Sequence, residues 1–125
     1  MASGRSWAAI VDDDGSVRRA LARLLVASGF EATTFESGRA FLDSLTIGSP
    51  DFVVLDLHMP GMNGLELLKV VKEQYPRLKV YMITAYDDAD SRQRAVEYGC
   101  DDYLTKPIDF TVLRTRIGLA GAPSI

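Results

Sequence analysis

Cysteine is almost missing from this chain: Cys100 is the only one in 125 residues, which excludes an internal disulfide and any cysteine-based zinc site. A lone thiol is compatible with a reducing compartment. Basic residues are also in short supply, with 14 Lys and Arg against 17 Asp and Glu for a net charge of −3. No basic stripe stands out, and a nucleic-acid surface needs clustered Lys and Arg to neutralise phosphates, so direct nucleic-acid binding by this chain is not expected. No apolar run approaches the roughly 20 residues of a membrane helix, and Met1 to Ser6 lack the apolar stretch of a signal peptide. The expectation is a soluble, cytoplasmic protein with no membrane partner. Internal repeats and low-complexity stretches are absent too.

What is present is the composition of one globular domain, 47% hydrophobic and 25% charged. Short apolar runs alternate with longer amphipathic ones, the pattern of βαβ units and a parallel α/β sheet. Five rounds are readable. Strands are expected at Trp7 to Val11, Glu31 to Phe35, Phe52 to Leu55, Val80 to Ile83 and Asp102 to Leu104. The second alternates like an edge strand, whereas the third is apolar throughout, as a strand buried on both faces requires. Helices are expected at Ser16 to Ala27, after a Ser37 cap, at Leu65 to Gln74, at Asp90 to Tyr98 and at Phe110 to Ile117, with Gly29 and Gly99 as stops. The domain is taken as 1–118. Residues 119–125, rich in small side chains, are read as a flexible tail or the start of a linker to an output domain.

In open α/β sheets, ligands bind beyond the carboxyl ends of the strands. Those ends are polar here: Asp12 and Asp13 after the first strand, Asp56 after the third, Thr84 after the fourth, and Lys106 followed by Pro107 after the fifth. If the first and third strands are neighbours, three carboxylates converge, and their repulsion calls for a cation. Oxygen ligands without a His or Cys partner select Mg²⁺ or a similar ion. A carboxylate placed in line is a competent phosphoryl acceptor, and Lys106 and Thr84 could hold the remaining phosphoryl oxygens through charge and a hydroxyl donor. Taken alone, Asp12 and Asp13 could instead cap the first helix, and Asp14 is the better capping or solvent-facing candidate of the three.

The segments Val11-Asp12-Asp13-Asp14, Leu55-Asp56-Leu57-His58-Met59-Pro60-Gly61-Met62-Asn63-Gly64, Ile83-Thr84-Ala85 and Lys106-Pro107 resemble, in order and on the right strand ends, the receiver domain of bacterial two-component response regulators. The resemblance spans nearly the whole chain. It implies a doubly wound, flavodoxin-like (βα)5 fold with a five-stranded parallel sheet in the order 2-1-3-4-5. It also implies that Asp56 takes a phosphoryl group from a histidine kinase or histidine phosphotransfer protein. Asp13, Asp56 and the main-chain carbonyl of His58 would ligate Mg²⁺ directly, with Asp12 acting mainly through water. Lys106 would pair with the phosphoryl group, beside a cis bond to Pro107. Thr84 and Tyr103 match the switch pair that reshapes the surface of helix four, strand five and helix five for an effector domain, a target protein or a second copy of the chain. The side chains of His58 and Tyr86 would border the path of water to the phosphoryl group, so slow autodephosphorylation is expected. Such a domain is a switch, with only self-directed phosphoryl chemistry.

Two other classes compete. Asp12-Asp13-Asp14-Gly15-Ser16 also resembles the nucleophile motif of haloacid-dehalogenase-like phosphohydrolases, with Asp12 as nucleophile, but the lysine order and the lack of room for a cap count against it. A flavodoxin-like cofactor binder would need a phosphate-cradling loop after the first strand, where three aspartates stand instead. A non-switching receiver used as a scaffold is disfavoured, because none of the five site positions is missing. Cys100 is expected to pack as a small apolar residue.

Overall fold

The computed structural model describes residues 6–59 and 61–120, of which 118–120 are described as helix backbone only. Ten elements alternate strictly: β1 (Trp7–Val11), α1 (Gly15–Ala27), β2 (Glu31–Phe35), α2 (Gly38–Leu45), β3 (Phe52–Asp56), α3 (Gly64–Gln74), β4 (Lys79–Thr84), α4 (Ala89–Glu97), β5 (Asp102–Thr105) and α5 (Phe110–Ala120). The strands form one parallel sheet in the order β2-β1-β3-β4-β5, the expected doubly wound topology. β1 and β3 are therefore neighbours, with Val11 opposite Leu55, and that register brings Asp12 and Asp56 to one end of the sheet.

Each strand sends alternate side chains to opposite faces. Ala9, Val11, Val53, Leu55, Val80 and Met82 pack with Phe41, Leu67 and Val71 of α2 and α3. Ala8, Ile10, Val54 and Ile83 pack on the other face with Leu21 and Leu25 of α1 and Leu113 and Ile117 of α5. All five residues of β3 are buried, as its uninterrupted apolar run predicts, while β2 at the edge is mostly exposed.

Helix starts follow local chemistry. Asp14, Ser37, Asn63 and Asp88 are N-caps whose side chains accept from the first-turn amides of Ser16, Ala40, Glu66 and Ser91. Gly29 and Gly99 end α1 and α4 with φ of +98° and +93°, a backbone region that a side chain disfavours. The clearest departure from expectation is α5, which runs past Ile117 and Gly118 to Ala120. A glycine inside a helix costs about 1 kcal/mol relative to alanine and does not by itself break one. Residues 121–125, most of the expected tail, lie outside the described residues.

Candidate functional site

The polar strand ends meet in one pocket. Asp12 is fully buried and Asp56 nearly so, at 3% exposure, while Asp13 is exposed at the mouth. One carboxylate oxygen from each lies within 4.8 Å of the others. Lys106 reaches in from the loop after β5, with its Nζ 3.1 Å from Asp12 Oδ2 and 3.6 Å from Asp56 Oδ1. The Lys106–Pro107 peptide is cis, as expected. The Lys106 amide donates to the Thr84 carbonyl at 2.7 Å, tying this loop to the end of β4.

Burial first, and then the charge of Asp12, push the Asp56 carboxyl up to about 6, with Lys106 opposing them. Burial alone would lower the Lys106 ammonium, but Asp12 and Asp56 outweigh it and hold its pKa above the usual lysine range. One lysine thus pairs with two of the three clustered carboxylates. Asp12 Oδ2 is buried and makes no hydrogen bond, its contact with Lys106 being an ion pair only. This donor set would accept a hard cation. Several carboxylate oxygens with no nitrogen or sulfur ligand fit Mg²⁺ and suit softer metals poorly.

Main-chain contacts fix the acceptor loop. The Leu57 amide donates to the Ile83 carbonyl at 2.8 Å, the Gly64 amide to the Leu57 carbonyl at 2.7 Å, and the His58 amide leans toward Asp56 Oδ1 at 3.4 Å. A Cβ on Gly64 would sit 2.7 Å from Leu57 Cα and 2.8 Å from its carbonyl oxygen, and closer still to the Asp56 carbonyl, so only glycine fits there. In the sequence Gly64 stands out only as the last residue of the motif that follows Asp56. Arg18 was missed altogether: from α1 it donates to the Asp12 carbonyl at 2.7 Å and anchors the loop carrying the acidic pair. No local signal in the sequence marks it. Asp14 is the α1 cap and belongs to a different task from its two neighbours.

Thr84 is fully buried, and its hydroxyl bonds its own loop, donating to the Tyr86 carbonyl and accepting from the Tyr86 amide, both at 3.0 Å. Tyr103 packs half-buried on β5 beneath the guanidinium of Arg92. The rings of His58 and Tyr86 stand edge to face, 6.4 Å apart, at the pocket mouth. Beside Lys106, a cavity of about 250 Å³ opens between α1 and the start of α5, lined by Val17, Leu21, Pro107, Ile108 and Phe110. Cys100 packs against the core as expected, and burial pushes its thiol up to about 11.

A doubly wound (βα)5 sheet with an acidic pocket, a buried threonine and a lysine before a cis proline at its carboxyl end defines a class of phosphoryl-responsive signalling module. Residues 8–118 match the family model of the response regulator receiver domain, and the chain belongs to that family. It is 48% identical over 109 residues to the DNA-binding transcriptional regulator NtrC of Klebsiella pneumoniae, covering 87% of this chain and 23% of that protein. A cyclic di-GMP phosphodiesterase of Thermotoga maritima is 34% identical over 108 residues, covering 86% of this chain and 29% of that one. Among solved structures, the chemotaxis protein CheY4 of Vibrio cholerae superposes with a TM-score of 0.88 at 26% identity, covering 94% of this chain and all of that one. The chain spans less than a quarter of the length of the NtrC relative and less than a third of the phosphodiesterase. The phosphohydrolase alternative is not supported: the family match is to the receiver domain, and Asp12 lies at the bottom of the pocket beneath Lys106.

Proposed function

We propose that Asp56 is the phospho-acceptor of this receiver domain, and that Asp12, Asp13, Asp56 and the His58 carbonyl hold the Mg²⁺ its chemistry requires. The observation that carries this is the convergence of a nearly buried Asp56 with Asp12 and Lys106, a charge arrangement left incomplete without a cation. Bound there, Mg²⁺ would neutralise the negative charge that accumulates between the carboxylate and the incoming phosphoryl group.

The chain's own groups do the rest. The Asp56 carboxylate attacks the phosphorus of a phosphohistidine on the donor protein; the O–P bond forms as the N–P bond breaks, and the imidazole leaves with that electron pair. Lys106, already within 3.6 Å of the carboxylate, pairs with the phosphoryl oxygens. The Thr84 hydroxyl exchanges the Tyr86 carbonyl for a phosphoryl oxygen, and Tyr103 shifts with it, changing the face made by α4, β5 and α5 that an effector domain, a target protein or a second copy reads. The apolar cavity beside Lys106 supports docking of a histidine kinase or phosphotransfer protein across α1 and the start of α5. The setting for this chemistry is the cytoplasm, and turnover is limited to the domain's own phosphorylation and dephosphorylation.

Labelling with acetyl phosphate in Mg²⁺ tests the assignment. Asp56→Asn is expected to abolish the label and Asp12→Asn to weaken it through loss of the metal. A label that survives in Asp56→Asn and vanishes in Asp12→Asn would move the nucleophile to Asp12 and overturn the reading.

A further inference from the structure

We propose that Arg92 is a latch on the switch: bonded to Asp87 and stacked over Tyr103, its guanidinium holds the ring and the loop between β4 and α4 in their resting arrangement. The inference rests on the reading of Thr84 and Tyr103 as the switch pair.

Two contacts made by one side chain carry it. Arg92 grows from α4, donates from Nη2 to Asp87 Oδ2 at 2.8 Å, and places its guanidinium carbon 4.5 Å from the centroid of the Tyr103 ring on β5. It thereby ties together a helix, a loop and a strand. Each contact alone is weak, because Arg92 and Asp87 are 48% and 38% exposed at their side chains. Carried by one rigid planar group, the two are made and broken together.

The Tyr103 ring also packs against the core, and its hydroxyl, buried and making no hydrogen bond, lies near the Asp87 carboxylate: burial first, and then the Asp87 charge, raise the phenol's pKa. A buried hydroxyl without a partner disfavours the position it occupies and favours any alternative that satisfies it. The stack beneath Arg92 opposes that tendency. α4 buries only Ala95 and packs on α3, so the Arg92 bridge adds to a light attachment.

The latch has a defined release. Thr84 holds both the amide and the carbonyl of Tyr86, the residue immediately before Asp87. When the hydroxyl turns to a phosphoryl oxygen, the backbone next to Asp87 is freed, the carboxylate can leave Arg92, and the guanidinium loses the partner that keeps it over the ring. Each step involves groups in direct contact, and the switch reading supplies the second arrangement that coupling requires.

The test uses protein labelled with 3-fluorotyrosine, the Tyr103 resonance being assigned with Tyr103→Phe, and beryllofluoride in Mg²⁺ as a phosphoryl mimic. In Arg92→Ala the unliganded Tyr103 resonance is expected to move toward its beryllofluoride-bound position. Apparent beryllofluoride affinity should tighten by about three- to five-fold, because a destabilised resting state raises the competent fraction. Arg92→Lys, which keeps the charge for Asp87 but not the planar stack, should fall between. Asp87→Asn, which breaks the latch from the loop side, should repeat the effect and serves as the second variant if Arg92→Ala folds poorly. Unchanged or weaker beryllofluoride binding with an unmoved resonance in these variants overturns the latch. A wild-type Tyr103 resonance that ignores beryllofluoride instead overturns the switch reading beneath it.

Discussion

The two ends of the sheet each carry a cluster of charge, and they are built on opposite plans. At the amino end of β4 and β5, a single carboxylate is fully engaged: Asp101 Oδ2 accepts from the Val80 amide at 2.7 Å and pairs with Lys72 at 3.0 Å, while Oδ1 faces Lys79 at 3.7 Å. Lys72 in turn donates to the Leu78 carbonyl at 2.7 Å. At the carboxyl end the ratio is inverted: three carboxylates cluster, two of them share Lys106, and one buried oxygen makes no hydrogen bond. A satisfied cluster stabilises a fold; one with surplus like charge destabilises it until something binds. The surplus marks the working end.

Metal-free stability against pH is the strongest way to break this contrast. The Asp56 carboxyl is raised from 3.8 to about 6 in the folded protein, so the native state binds more protons than the unfolded one between those values. Stability contributed by the protonated group is present below that window and is lost as pH rises through about 6. Asp56→Asn should remove the fall and leave the metal-free protein more stable at pH 7 by up to about 3 kcal/mol, measured by urea unfolding. Mg²⁺ should narrow the gap by stabilising the wild type; equal stability of the two proteins across the window would refute the surplus-charge account.

Asp101→Ala should act in the other direction. It strips an acceptor from Val80 and a partner from Lys72, and should destabilise by about 2 kcal/mol. The folded fraction should still bind beryllofluoride, since the cluster is at the far end of the sheet. The smallest expected effect concerns the mouth of the pocket. Replacing both His58 and Tyr86 with alanine should shorten the phosphoryl lifetime about five-fold, a barrier change of about 1 kcal/mol. An unchanged lifetime would mean that these rings do not restrict water.

Much of this contrast was legible in the chain. Asp12, Asp13, Asp56 and Thr84 announce themselves because polar residues that end apolar strands are conspicuous, and Lys106 because it follows the fifth strand and precedes Pro107. β3 is readable for the same reason, as the four apolar residues before Asp56 form the unbroken run that burial on both faces requires. The parts that escaped are those whose role depends on a distant partner. Nothing local to Arg18 says that it reaches the Asp12 carbonyl, nor does anything local to Arg92 say that it covers Tyr103. Both look like solvated helix arginines until the elements are packed. The end of α5 was misplaced because glycine is a stop signal only where a positive φ is adopted, as at Gly29 and Gly99; Gly118 stays within the helix.

The close approach of Gly64 to the main chain of Asp56 and Leu57 has a consequence for how this domain can vary. The acceptor is aimed by backbone pressed against backbone, so the side chains of the intervening loop are spared that duty. The exposed His58 can be recoded for a new partner or a new lifetime without moving Asp56. A saturation library across positions 57–64 should tolerate change most freely at His58, keep Leu57 and Met59 apolar because they are buried, disfavour side chains at Gly61 with its φ of +87°, and refuse them at Gly64.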